Sequence, residues 1–226
     1  MNVWLNIWNG LDWSVLTELL LSVIPAFLCI TLHELAHGFA AWKMGDPTAK
    51  RAGRLTLNPL KHVDVMGLLM MVVFNFGWAK PVPVNMRRFR HPKRGMALTA
   101  AAGPLCNLVL AAVMLLIFLL LQQPLRYAEG LAAEVLMQTL VKTAYLSIAL
   151  AVFNMIPIPP LDGSKLFFSL LSDRWYEKLM RYERYGVIVL FILLATDVLR
   201  DPLHMVTSTV YFYLTSWVSA LAQLIL

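Results

Sequence analysis

Charge is scarce in this chain. Only 14% of its 226 residues are Asp, Glu, Lys or Arg, well under the roughly 25% of an ordinary soluble domain. No long polar stretch interrupts the apolar runs that recur from Leu16 to Leu226, so the sequence offers no separate soluble domain and reads as one membrane-embedded domain over 1–226. Cysteine is nearly missing. Cys29 and Cys106 both fall inside apolar runs, where a free thiol behaves as a small apolar group, which argues against a disulfide framework. The first fifteen residues hold no Lys or Arg, so the basic start of a cleaved signal peptide is lacking and the N-terminus is expected to be retained. Basic residues interleaved with exposed aromatics are lacking too. The net charge of +6 sits in loops beside apolar runs, which makes lipid head groups the expected counter-charge and not nucleic acid.

What fills the chain is hydrocarbon: 59% of its residues are hydrophobic and the mean hydropathy is +0.67. A helix needs about 20 apolar residues to cross about 30 Å of hydrocarbon. Runs at about 14–42, 96–121, 132–156 and 203–226 meet that length. A fifth run, at about 186–199, is short. Tyr182 and Tyr185 extend it as interfacial anchors, and Arg200-Asp201-Pro202 ends it with a turn signal. The segment 64–78 would rise only about 22 Å as a helix, so it is expected to dip into the membrane and return. The expected fold is an all-α polytopic membrane protein with about five transmembrane helices, a membrane re-entrant segment and short edge strands. Its core would occupy about 14–170, and C-terminal helices about 186–226.

The distribution of cations sets an orientation. Lys43, Lys50, Arg51, Arg54 and Lys61 lie in one loop, and Lys80, Arg87, Arg88, Arg90, Lys93 and Arg94 in the next. Both loops are expected on the cytoplasmic side, which they share only if 64–78 re-enters. The segment 122–131 then lies outside, 173–184 returns inside, and the N- and C-termini fall outside and inside respectively. Within the loops, Gly53-Arg54-Leu55-Thr56-Leu57-Asn58 alternates apolar and polar residues as a short edge strand would. Lys80-Pro81-Val82-Pro83-Val84-Asn85 reads as extended, because each proline fixes its φ and disfavours helix in the residue before it.

Chemistry concentrates in the first long run, at His33-Glu34-Leu35-Ala36-His37. Residues four apart on a helix share a face about 6 Å apart along the axis, so two imidazoles can converge on one metal. The intervening Glu34 is placed to take a proton from a metal-bound water. A haem site would also use paired histidines, but His62, His91 and His204 lie in or beside loops and Glu34 would have no purpose. Cys29, one turn before His33, is a further conceivable ligand. Catalytic zinc takes three protein ligands and keeps one open position. Asp162 is the leading third ligand, since it follows the helix-breaking Pro157-Ile158-Pro159-Pro160-Leu161 and falls near the membrane depth of His33. An Asp at that place serves equally as the N-cap of a helix starting near Ser164. Glu134 and Asp197 are weaker candidates near the outer side.

Four pieces of this sequence resemble the site-2 protease family of intramembrane zinc metalloproteases. They are His33-Glu34-Leu35-Ala36-His37, Gly53-Arg54-Leu55-Thr56-Leu57-Asn58-Pro59, Gly103-Pro104-Leu105-Cys106-Asn107, and Asn154-Met155-Ile156-Pro157-Ile158-Pro159-Pro160-Leu161-Asp162-Gly163. They cover most of 25–170 in family order and point to the short branch that lacks a PDZ domain. The resemblance implies one Zn2+ held by His33, His37 and Asp162, with Glu34 as general base and Asn154 near the reacting carbonyl. It also implies that an unwound membrane-spanning segment of another protein is the substrate, held by the re-entrant region and nearby strands; the edge strand over Gly53, Arg54, Leu55, Thr56, Leu57 and Asn58 is expected to take it by strand addition. Asn107 is a second donor to the oxyanion or a packing residue beside Gly103 and Pro104. A multi-pass protein of a bacterial cytoplasmic membrane, with its active site toward the cytoplasm, is the expected setting. A metal-ion transporter would instead show ionisable groups along a path and interrupted helices in both halves, and neither is apparent. A catalytically inactive scaffold would not need every catalytic residue that is present.

Overall fold

The computed structural model describes residues 13–67, 79–125 and 130–225. Helices dominate: α1 (Trp13–Lys43), α2 (Thr48–Arg51), α3 (Pro92–Gln122), α4 (Leu131–Asn154), α5 (Asp162–Phe168), α6 (Asp173–Arg181), α7 (Glu183–Ala195) and α8 (Arg200–Ile225). Pro92 opens α3, where a missing N–H costs nothing because the first turn has no intrahelical acceptor for it. α3 packs most extensively on α4 and α1, and α8 lies across α3 and α4. Their common core is Ala111, Leu115, Ala144, Ile148 and Val218, where alanines let helix axes approach closely around the larger side chains.

Three helices are long and apolar enough to cross a bilayer among the described residues: Leu21–Lys43, Pro92–Gln122 and Ala132–Asn154. The expected fourth and fifth crossings differ from that standard in distinct ways. α7 runs for 13 residues, short of the roughly 20 needed, because Thr196 and Asp197, the latter at φ 55°, end it in a turn. α8 has the length, but hydroxyls dilute its hydropathy. Thr209, Thr215 and Ser216 return their hydroxyl protons to carbonyls one turn back, at 2.8, 2.8 and 2.9 Å, the usual way a helix satisfies such groups in apolar surroundings.

The edge strand expected over 53–58 is not formed. Gly53 takes φ +64°, the Arg54 N–H donates to Ala49 O at 3.0 Å, and the next three residues are bends. Asn58 then caps a 3-10 turn (Pro59–Lys61) through its side chain. Local side-chain and turn bonds outcompete the alternating pattern here. The segment 80–85 is extended, as its prolines require, and the β feature among the described residues is a single antiparallel bridge, Val63 to Ala79.

That bridge has topological weight. It joins the two ends of the segment expected to re-enter, of which 68–78 lie outside the described residues. Three more bonds tie the flanking loops: Lys80 N–H to His62 O at 2.9 Å, Arg54 Nη2 to Lys80 O at 2.6 Å, and Asn85 N–H to Asp46 Oδ2 at 2.6 Å. The two basic loops therefore form one body at one end of α1.

Candidate metal centre

α1 carries His33 and His37 on one face, four residues apart, and both rings are buried. Their Nε2 atoms stand 2.9 Å apart. The chain returns to them 125 residues later: α4 ends at Asn154, the proline-rich loop reverses direction, and Asp162 Oδ2 arrives 3.1 Å from His33 Nε2 and 3.0 Å from His37 Nε2. Gly163 permits that return, since any Cβ there would overlap the Met155 carbonyl at the end of α4. Asp162 is the first helical residue of α5 and not its N-cap. Leu161 holds the cap position, and Ser164 Oγ donates to the Leu161 carbonyl at 2.7 Å. The carboxylate is thus released from capping.

These three donor atoms fit a zinc ion. Ligand atoms at the corners of a zinc tetrahedron with bonds of about 2.0–2.2 Å stand about 3.3–3.6 Å apart, within about half an ångström of the spacing here. His37 Nδ1 lies 2.7 Å from Thr99 O. A carbonyl only accepts, so Nδ1 carries the proton and the neutral ring turns an Nε2 lone pair toward Asp162. α3 is shaped for both rings. A Cβ on Gly103 would stand 2.5 Å from His37 Nε2 and 2.6 Å from His33 Cε1.

Glu34 lies between the histidines in sequence. Its Oε2 accepts the Val82 N–H at 2.9 Å, so the extended segment 80–85 fixes one carboxylate oxygen. Val82 and Leu55 also flank Gly38, where a Cβ would come within 3.1 Å of Val82 Cγ1 and 2.7 Å of Leu55 Cδ2. Both basic loops are thereby seated against the helix that carries the histidines. The loop over 53–58 reaches the site through Leu55, while Leu57 faces outward and Thr56 spends its carbonyl on His62 Nε2 at 2.9 Å.

Asn154 is the last residue of α4, and its amide nitrogen donates to Leu150 O at 2.9 Å. Asn107 is fully buried on α3, with Nδ2 3.3 Å from His33 Nδ1. Cys29 points elsewhere: its thiol is paired with Thr143 O at 3.7 Å. His33, His37 and Asp162 form the group of metal-competent side chains brought together among the described residues. Two partners escape the sequence reading entirely, the Thr99 carbonyl and the Val82 N–H. Both are backbone groups, and any residue could supply them.

Comparison with known proteins points to the same metal. A protein of Bacillus subtilis (strain 168) named "Putative zinc metalloprotease YwhC" is 38% identical over 188 residues, covering 81% of this chain and 82% of its own. Residues 121–196 match peptidase family M50. The chain belongs to that family. Rip2 of Mycolicibacterium smegmatis, which carries the same description, is 30% identical over 176 residues, 76% of this chain and 65% of its own length. "Zinc metalloprotease MJ0392" of Methanocaldococcus jannaschii is 26% identical over 167 residues, 74% of this chain but 37% of that protein. No solved structure matches the chain. The M50 family is that of the site-2 proteases, so the resemblance carried by the four motifs holds, and zinc is the metal. No PDZ domain is evident among the described residues.

Proposed function

We propose that this M50 chain is an intramembrane zinc metalloprotease that hydrolyses peptide bonds in or near membrane-spanning segments of other membrane proteins. The observation that carries the reading is the meeting of His33, His37 and Asp162 at 2.9–3.1 Å beside a Glu34 carboxylate already oriented by Val82. All of it lies at the loop-bearing end of an apolar helix. His33, His37 and Asp162 would hold the zinc, whose chemistry there would be to acidify a water and to polarise the scissile carbonyl. Glu34 accepts the proton of the attacking water and delivers it to the leaving amine nitrogen. Asn154 donates one amide hydrogen to Leu150 and has its second free for the developing oxyanion, a role that oxyanion-hole amides fill elsewhere. Catalysis occupies about 14–170 in a bacterial cytoplasmic membrane, with the site facing the cytoplasm.

The substrate helix must unwind first, because a helical backbone shields its carbonyls. The loop seated by Leu55 lines the approach as a bend and not as a strand, so side chains and not a main-chain ladder hold the substrate there. The test is Glu34→Gln in the full chain, purified in detergent, with zinc content and cleavage of single-span substrates measured together. Zinc content equal to wild type and a loss of cleavage by about 10²–10⁴-fold are expected. Undiminished cleavage would overturn the proposal.

A further inference from the structure

α3 presents Thr99, Gly103 and Asn107 to α1 at intervals of four residues, and the two helices run in opposite directions there. Thr99 meets His37, Gly103 leaves space for both rings, and Asn107 meets His33. The Thr99 carbonyl dictates the His37 tautomer. At His33 the partner is an amide, which can offer either a donor or an acceptor. With the amide nitrogen toward His33 Nδ1, the ring proton of a neutral His33 would sit on Nε2, at 2.9 Å from His37 Nε2 and 3.1 Å from Asp162 Oδ2. A protonated Nε2 ligates nothing. The same arrangement leaves Asn107 Oδ1 buried without a partner. Turning the amide end for end keeps its shape; it removes the first defect and gives Oδ1 a partner, while Nδ2 takes the buried place that Oδ1 leaves. Oδ1 then accepts the His33 Nδ1–H, and the Nε2 lone pair is free.

We propose that Asn107 is a positioning residue of the metal centre, whose carboxamide oxygen accepts the Nδ1–H of His33 and so fixes the ring in the tautomer that binds zinc. It replaces the oxyanion-donor or packing role expected of this residue from sequence, and it rests on the reading of His33 as a zinc ligand. Asn107 is suited to the task because it cannot drift. It is fully buried, and Ser147 Oγ of α4 donates to its backbone carbonyl at 2.8 Å, pinning α3 to α4 at this residue. Acceptors behind ligating histidines fix ring orientation and raise ligand basicity, and their loss typically weakens metal binding 10–100-fold.

The experiment uses the full chain in detergent, with zinc affinity measured by chelator competition alongside kcat and KM. Asn107→Leu, which keeps volume but removes the acceptor, should lose 10–100-fold in zinc affinity. Asn107→Asp keeps an acceptor and should restore it. An oxyanion donor would behave in the opposite way, with zinc affinity unchanged in both variants and kcat reduced in both; that result overturns the proposal. His33→Ala separates the two levels. Full zinc affinity in His33→Ala removes the metal-site reading, whereas weakened zinc there with unchanged zinc in Asn107→Leu removes the role of Asn107 alone. If Asn107→Leu does not fold, the wild-type zinc-free protein decides by ¹⁵N chemical shifts of His33: a protonated Nδ1 and a bare Nε2 support the proposal, and the reverse overturns it.

Discussion

Gly103 on α3 lies so close to His37 on α1 that a Cβ would stand 2.5 Å from the imidazole Nε2, and nearly as close to the His33 ring. This glycine serves space and not backbone freedom, since it sits inside a regular helix. Adding a methyl group forces both rings to shift, at about 1–3 kcal/mol for overpacking. Gly103→Ala is therefore expected to lower zinc affinity by 10-fold or more, because the displaced atoms are the ones that converge on the metal. Isothermal titration of zinc into the metal-stripped protein checks this. Wild-type affinity would show that α1 and α3 can separate without disturbing the site.

Asp162 is expected to be indispensable for a reason separable from helix capping. Asn caps about as well as Asp, and Leu161, not Asp162, occupies the cap position of α5. Asp162→Asn removes the carboxylate charge that balances the cation and keeps the shape. Zinc retention during dialysis against chelator should fall sharply, and cleavage with it, while the helical circular-dichroism signal stays unchanged. Full retention of zinc and activity would show that the third ligand lies elsewhere.

Much of this site was legible in the sequence because its candidate ligands are side chains, two of them on regular spacing. His33 and His37 announce themselves by a four-residue interval inside an apolar run, and Asp162 by the proline break before it. The alternation over 53–58 misled because period two describes a strand only where the backbone is free to extend. Gly53 turns into the left-handed region, and the Arg54 N–H bonds back to Ala49, so the chain bends instead. α7 and α8 show a different limit. Hydropathy located both, but the early stop of α7 at Asp197 and the hydroxyl content of α8 separate them from the three helices that meet the length and composition of a span. The partners of His37 and Glu34 at Thr99 and Val82 left no trace, since they are main-chain groups brought close by tertiary packing.

The two basic loops are expected to label from the same side of the membrane. Val63 bridges Ala79, and Lys80 and Asn85 bond to His62 and Asp46 across the gap, so the ends of 64–78 meet. A single cysteine introduced near Lys50 and another near Arg90 should both react with a membrane-impermeant maleimide from the cytoplasmic face only. Native Cys29 is buried, and Cys106 lies within α3, which keeps the background low. Labelling of the two sites from opposite faces would make 64–78 a true crossing and would conflict with the bonds between the loops.

Val82 gives the closing prediction, because among the described residues its N–H is the bond that holds the Glu34 carboxylate. Hydrogen bonds to charged groups contribute about 1.5–3 kcal/mol, and a carboxylate that wanders spends less time where a proton can be taken. Val82→Pro removes this donor, sets a ring methylene where the hydrogen stood, and loses the Val82 methyl contact beside Gly38. The flanking Pro81 and Pro83 already keep the segment extended, so the new ring meets a backbone that suits it. Zinc affinity and KM should stay near wild type while kcat falls about 10–100-fold, the equivalent of losing that bond in the transition state. Val82→Ala is the control: it keeps the N–H and loses the packing against Gly38, so kcat should remain near wild type. Equal losses in the two variants would assign the effect to packing, and an unchanged kcat in Val82→Pro would show that Glu34 reaches its working position without help from the loop.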